Sequence, residues 1–116
     1  MKLAVVWCGV LLLAAGALSA GGQLSIRVSP RVAFSPANIL VRTFVERDSD
    51  NREIQVVADS PNFFSSSSVQ LDGDDAPRSK EFRFRDLPAG DYTIVVVLIG
   101  QDGKQRAIAS STVIIN

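Results

Sequence analysis

Histidine is absent from this 116-residue sequence, and cysteine occurs once, at Cys8. Imidazole and thiolate groups are the commonest general bases and nucleophiles of enzymes, so the most frequent catalytic pairs cannot form. A lone cysteine also excludes an internal disulfide, and the chain must fold by core burial and sheet pairing alone. We therefore predict that the protein is not an enzyme, and we assign no catalytic residue, no metal ligand and no cofactor.

An excess of positive charge is also missing, because twelve Lys and Arg residues balance twelve Asp and Glu residues. Proteins that bind nucleic acid or anionic membranes usually show a basic excess. We therefore expect neither nucleic acid nor an anionic membrane as a partner. The hydrophobic content of 47% is too high for a disordered chain, so a packed core is expected.

The first twenty residues differ from the rest, with one charge at Lys2 and a nearly continuous apolar run over residues 3–18. This profile is typical of a secretory signal peptide, and the small residues that follow favour cleavage after Ala20 or, alternatively, after Ser19. Retention of the segment as an N-terminal anchor is the competing interpretation. We predict a signal peptide over residues 1–20, a mature domain over residues 21–116 without membrane insertion, and a secreted or periplasmic bacterial protein.

From residue 24 onward, short runs rich in β-branched and aromatic residues alternate with clusters of Pro, Gly, Asp, Asn and Ser. This spacing is typical of an all-β sandwich or barrel, and no segment has a helical period. Pro30 and Pro36 make the first strand an edge strand. The segment 63–68, two phenylalanines followed by four serines, is interpreted as a crossing connection. The predicted strands cover residues 24–29 with a kinked continuation at 31–34, then 39–46, 53–59, 68–71, 80–85, 92–99 and 107–115.

Alternate side chains of these strands share one face, and the more apolar face should be buried. The segment 92–99 is apolar on both faces, which indicates a central strand or an outer face used for association. The predicted core contains Val41, Val45, Ile54, Val56, Phe82, Phe84, Leu87, Tyr92, Ile94, Val96 and Val113.

The sequence FRFRDLPAGDY, from Phe82 to Tyr92, joins an alternating strand to the apolar strand that follows. In it, Gly90 permits a tight turn with positive φ, and Tyr92 can bury its ring while its hydroxyl bonds to upstream backbone. The segment resembles the tyrosine corner of immunoglobulin-like and fibronectin type III-like sandwiches in bacterial secreted proteins, and carboxypeptidase-regulatory and transthyretin-like modules carry a similar phrase. The resemblance implies a seven-stranded antiparallel Greek-key β-sandwich. An antibody-type domain is excluded, because Trp7 and Cys8 both fall in the signal peptide.

Two acidic loops are candidate cation sites, because carboxylate and amide oxygens at alternate positions suit calcium. The alternative is that Asp and Asn serve there as ordinary turn formers. Neither loop has the distal glutamate of an EF-hand. The first loop contains Asp48, Asp50 and Asn51, and the second contains Asp72, Asp74 and Asp75.

Arginines and phenylalanines supply two further candidate surfaces. Arg83 and Arg85, with Arg42 nearby, can form a polar ligand face, and the alternative is a solvated outer face of a sheet. Phe63 and Phe64 can form an exposed contact for a sugar or a protein, and the alternative is that they plug the end of the sandwich.

We expect a non-catalytic binding or structural module of the cell envelope, which recognises a protein or glycan partner through a sheet face or loops. The alternative is a calcium-dependent carbohydrate-binding module, or a small enzyme that uses carboxylates of the acidic loops. A third interpretation is a subunit that donates or accepts an edge strand, with self-association into a homo-oligomer as one form of it.

Overall fold

The computed structural model describes residues 23–116, so the predicted signal peptide over residues 1–20 lies outside the described part of the chain. The described part is all-β, as predicted, with one short 3-10 turn at Gly73–Asp75. It contains eight strands rather than seven. They are β1 (Leu24–Ser29), β2 (Val32–Ala33), β3 (Ala37–Val45), β4 (Asn51–Ser60), β5 (Phe63–Gln70), β6 (Ser79–Leu87), β7 (Gly90–Gly100) and β8 (Gln105–Ile115).

These strands form two sheets that pack face to face. One sheet has three strands in the order β1-β3-β6, and the other has five in the order β2-β8-β7-β4-β5. All neighbouring strands are antiparallel except β2 and β8, which pair in parallel through Val32 opposite Ile114 and Ala33 opposite Ile115. The chain crosses from the small sheet to the large one between β1 and β2, and it returns at β3. The purely antiparallel arrangement that we predicted is therefore wrong at β2.

Strand β5 is the strand whose extent the sequence-based prediction missed, because only its end was predicted, as a strand over 68–71. Residues 63–68 form most of it, and they pair with β4 across a two-residue turn at Pro61 and Asn62. Four consecutive serines give no apolar alternation, so the side-chain pattern does not reveal the strand. Its backbone hydrogen bonds to β4 hold it in the sheet instead.

The core lies between the two sheets, and all eleven residues predicted for it are buried. Inward side chains alternate with outward ones along each long strand, as the period of two requires. In the central strand β7, Tyr92, Ile94, Val96 and Leu98 are each at most 1% exposed, while the outward side chains between them are exposed or half-buried. Large apolar side chains also remain on the outer face of β8, where Ile108 and Ile114 are 46% and 45% exposed.

The corner between β6 and β7 has the hydrogen bond that its sequence suggests. The Tyr92 hydroxyl donates to the Pro88 carbonyl oxygen at 2.8 Å, and the buried ring meets the ring of Phe63 edge-on, with centroids 6.2 Å apart. Phe63 therefore packs on the core, whereas Phe64 is 64% exposed. Phe63 thus has the packing role considered for it, and Phe64 is a surface residue.

Within residues 23–116, no helix is long and apolar enough to cross a membrane.

Candidate functional site

A bulge near the end of β6 shapes the outer face of the three-stranded sheet. Ala37 pairs with Leu87 and Ile39 pairs with Phe84, so Arg85 and Asp86 together oppose the single residue Asn38. Both bulge residues are exposed, which breaks the alternation of the strand. Bulges of this kind redirect side chains and occur often beside functional sites. Here the bulge places the side chains of two consecutive residues on the same face.

Asp86 has the only positive φ among the non-glycine residues of 23–116, at +57°. A left-handed backbone is unfavourable for a residue with a Cβ atom, although Asp and Asn tolerate it better than most. The Asp86 N–H donates to Oδ1 of Asn38 at 3.1 Å, which holds the bulge against β3. Strain of this kind is found most often at binding and catalytic sites.

The bulge borders an open cleft of about 430 Å³ on this face. Volumes of this order are typical of small-molecule sites, which range over about 300–1,000 Å³. Its walls come from the end of β1, the start of β3 and the end of β6. The lining residues are Ser29, Asn38, Ile39, Leu40, Arg83, Arg85 and Asp86.

Positive charge is concentrated around this cleft although the whole chain is formally neutral. The outward side chains of the three strands include four arginines, Arg27, Arg42, Arg83 and Arg85, against Glu81 and Asp86. This face therefore has a formal charge of +2. The low charge of the chain as a whole conceals this local excess.

Glu81 is shared by two of these arginines. Its Oε2 accepts from Nε of Arg42 at 3.0 Å, and its Oε1 lies 3.5 Å from Nη2 of Arg83. Arg83 keeps 62% of its side chain exposed. Arg27 and Arg85 form no ion pair with any residue of the described chain. Arg85 therefore has its donors available beside the cleft.

The first acidic loop has a structural role. Arg106 lies 3.2 Å from Oδ2 of Asp48 and 3.5 Å from Oδ2 of Asp50, and its side chain is 19% exposed. It also donates to Oδ1 of Asn51 at 2.8 Å. The hydrogen bond from the Asp50 N–H, and after it the one from Arg106, hold the pKa of Asp48 below its ordinary value of 3.8. A guanidinium occupies the place that a cation would need.

The second acidic loop, with Asp72, Asp74 and Asp75, lies against the first. Gly73 has a φ of +53°, and a Cβ atom there would be 3.0 Å from the Ser49 carbonyl oxygen, so the left-handed backbone and the close contact both favour glycine. Although the loops are adjacent, residues 23–116 contain no group of three or more His, Cys, Asp or Glu side chains that could hold a metal ion.

The structure thus brings together Arg83 and Arg85, which the sequence singled out, and places Arg42 one residue row away. Sequence reasoning missed Ser29, Asn38 and Asp86. The signal for Asp86 is its position directly before buried Leu87, where strict alternation from Phe84 would have placed it inward. That conflict marks a bulge.

No family model matches the chain, and no curated protein matches it. Among solved structures, it is similar to superoxide reductase (neelaredoxin) from Ignicoccus hospitalis, with a TM-score of 0.64, 13% identity, and coverage of 81% of this chain and 80% of that one. Two variants of the same reductase give the same values. A family 76 glycoside hydrolase from a bovine Bacteroides thetaiotaomicron strain is also similar, with a TM-score of 0.52, 19% identity, and coverage of 80% of this chain and 20% of that one.

The donor set of this chain differs from that of proteins that hold a redox metal. Superoxide reduction needs a group that supplies one electron at a time, and proteins hold such redox metals mainly through imidazole and thiolate ligands. The chain has no histidine, and its one cysteine, Cys8, lies outside the described residues. The side chains of residues 23–116 therefore do not fit a resident redox metal.

The comparisons correct three predictions. The immunoglobulin-like or fibronectin type III-like assignment is wrong, because the tyrosine corner at Tyr92 is a local feature and 81% of the chain aligns with a superoxide reductase. Similarity to enzymes also overturns the predictions of a non-catalytic envelope module and of a protein that is not an enzyme. At 13% identity the similarity establishes architecture and no reaction. The chain is a two-sheet β-sandwich with a superoxide reductase-like fold.

Proposed function

We propose that this protein binds a small oxyanion, a phosphate or carboxylate group, in the cleft beside the β6 bulge. The observation that carries the proposal is the position of Arg85: the bulge sets it beside Arg83 on a positively charged face, and no carboxylate of the described chain pairs with it. A guanidinium presents a planar fork of N–H donors that matches the oxygens of phosphate and carboxylate.

The other cleft residues complement an anion with further polar contacts. The Ser29 hydroxyl and the Asn38 amide group supply donors, and the half-buried Leu40 provides an apolar contact. Asp86 contributes a carboxylate at the rim, which favours a ligand that has a hydroxyl or amine donor next to its acidic group. The proposed ligand class is therefore a small phosphate ester or hydroxy acid.

Titration calorimetry with inorganic phosphate at low ionic strength tests the proposal. We expect one site per chain, and an affinity that falls with salt because the guanidiniums are partly exposed. Arg83→Gln and Arg85→Gln should each weaken binding by about 10- to 100-fold, the loss expected for one charge-assisted hydrogen bond of about 1.5–3 kcal/mol. Glu81→Gln should strengthen binding, because it removes the carboxylate that Arg83 and Arg42 share.

The matched control is Arg47→Gln, which removes the same charge from an exposed residue beyond the far end of β3. Affinity in this variant should stay within twofold of the unmodified protein. An equal loss in all three arginine variants would show that net charge alone attracts phosphate, and the cleft proposal would then fail.

We also propose that residues 1–20 direct export and are removed, which releases the domain outside the cytoplasm. The charge at Lys2, the apolar run and the small residues before Ala20 support this proposal. Expression of the whole chain in a bacterium, followed by mass analysis of the periplasmic fraction, should give a protein that begins at Gly21 or at Ala20. Recovery of the intact chain from the membrane fraction would contradict cleavage.

A further inference from the structure

The two sheets have four edge strands, and three of them have features that prevent pairing with another chain. Strand β2 is two residues long and lies between Pro30 and Pro36. Strand β1 has Arg27 and is followed directly by Pro30, and β6 has four charged side chains between Lys80 and Arg85. Charges, prolines and short length are the usual protections of sheet edges.

The fourth edge, β5, has none of these protections. Its eight residues, Phe63–Gln70, include no charge and no proline, and the pairing with β4 continues without a bulge along the whole strand. One side of β5 bonds to β4, and no strand of residues 23–116 lies on the other side. A long, regular, uncharged edge is a template for another strand.

The direction of the β5 amides identifies which residues face this open side. The Leu71 N–H donates to the Arg52 carbonyl at 2.7 Å, in the same register as the rest of the β4–β5 pair. Amide directions alternate along an antiparallel strand, so the odd-numbered residues bond to β4. The N–H and C=O groups of Phe64, Ser66, Ser68 and Gln70 therefore point to the open edge.

We infer that β5 pairs antiparallel with β5 of a second copy of this chain, about a twofold axis at Ser66. A twofold axis perpendicular to the sheet keeps the cores of both copies on the same side, and it matches only residues that share a face. In this register Ser66 pairs with the partner's Ser66, and each donates its outward N–H to the other. The two five-stranded sheets become one continuous sheet of ten strands.

The side chains of β5 are complementary to themselves in this register. On the inner face, Phe63 lies opposite the partner's Val69, an aromatic and β-branched pair of the kind that stabilises antiparallel strands. Phe63 and Val69 are only partly buried and pack at the margin of the core, so a second copy would extend the apolar layer across the edge. On the outer face, exposed Phe64 lies opposite the partner's Ser68. No pair places like charges together.

This symmetry favours a second copy over an unrelated peptide, because one sequence supplies both sides of the pair. It also makes Ser66 a sensitive test position, since any substitution there occurs twice at the axis. Ser66→Pro removes both reciprocal N–H donors and leaves the bonds to β4 in place, because the Ser66 amide points outward. Ser66→Lys sets two like charges opposite each other. Both variants should fold.

Light scattering coupled to size exclusion, at low and high concentrations of the purified protein, tests the inference. We expect a dimer that dissociates on dilution, and each Ser66 variant should raise the dimer dissociation constant at least about tenfold with an unchanged far-ultraviolet spectrum. Ser25→Lys, on the protected edge strand β1, is the matched control and should leave the constant unchanged. A monomer at every concentration, or a dimer that both Ser66 variants retain, would overturn the inference.

Discussion

Arg106 at the start of β8 donates a hydrogen bond from Nη1 to Oδ1 of Asn51, at the start of β4, over 2.8 Å. Asn51 is 2% exposed, and its Nδ2 atom donates to the Glu46 carbonyl oxygen at 3.0 Å. The amide group is thus satisfied on both sides, and it joins the loop after β3 to two strands of the opposite sheet. The first acidic loop is therefore a structural connection.

The Asn51→Leu variant tests this connection. Leucine keeps the volume of the buried side chain but leaves the Glu46 carbonyl and the Arg106 guanidinium without their partner. We expect a loss of about 1–3 kcal/mol in the free energy of unfolding, the usual cost of stranded buried polar groups. Urea denaturation measures the loss. Asn116→Leu, at an exposed position, is the control and should change stability little; equal effects would remove the special role of Asn51.

The pKa of Asp48 leads to a prediction about acid stability. Its pKa is lowered in the folded protein, so the unfolded chain takes up this proton first as the pH falls. The stabilisation from Asp48 is complete above the ordinary value of 3.8 and is lost as the pH falls through the lower pKa of the folded state. Thermal unfolding between about pH 5 and pH 3 should therefore show a flatter profile for Asp48→Asn than for the unmodified protein.

The control for the acid profile is Asp91→Asn, which changes an exposed aspartate on β7. Its profile should follow that of the unmodified protein. If Asp48→Asn had the same slope as the unmodified protein, the bonds from Asp50 and Arg106 would not stabilise the carboxylate.

Two substitutions of Tyr92 separate the contribution of its hydrogen bond to stability from the contribution of its packing in the core. Tyr92→Phe removes only the bond to Pro88, and we expect a loss of about 1 kcal/mol in the free energy of unfolding. Tyr92→Ala also removes a ring that is 1% exposed, so the expected loss is about 3–5 kcal/mol. Chemical denaturation of both variants measures the two losses. Equal losses would mean that the ring does not pack as described.

A substitution at Asp86 is expected to stabilise the protein, unlike those at Asn51 and Tyr92. Its φ of +57° is strained for any residue with a Cβ atom, and glycine adopts it freely. Asp86→Gly should therefore raise the free energy of unfolding by about 1 kcal/mol, measured by chemical denaturation. Asp91→Gly, within the regular strand β7, should lower it. A loss of stability in Asp86→Gly would show that the carboxylate, and not the backbone, fixes this position.

Side-chain alternation in the sequence predicted much of the fold and part of the site. It identified the inward residues of β6, because phenylalanines alternate cleanly with charged residues there. It identified only the end of β5, because the serines of this strand are held by backbone bonds and give no apolar alternation. The parallel pairing of β2 with β8 depends on the tertiary arrangement of the chain. The two-residue sequence of β2 is too short to predict it.

The family assignment was wrong, and the cleft was not predicted from the sequence, for related reasons. A tyrosine corner stabilises one connection between two strands. It therefore does not specify the order of the strands in the sheets. The cleft depends on which residue opposes Asn38 across two strands, and this register becomes visible only when the sheet has formed. Arg83 and Arg85 were found because they alternate with phenylalanine, whereas Asp86 was not.

Backbone amide chemical shifts of the isotope-labelled protein, followed by NMR during addition of phosphate, test the central claim of an anion site at the β6 bulge most directly. The account predicts concentration-dependent shifts confined to the residues that line the cleft, above all Asn38, Arg83, Arg85 and Asp86, and their disappearance in Arg85→Gln. Shifts centred on the exposed arginines elsewhere, such as Arg47 and Arg78, or no shifts at all, would contradict it.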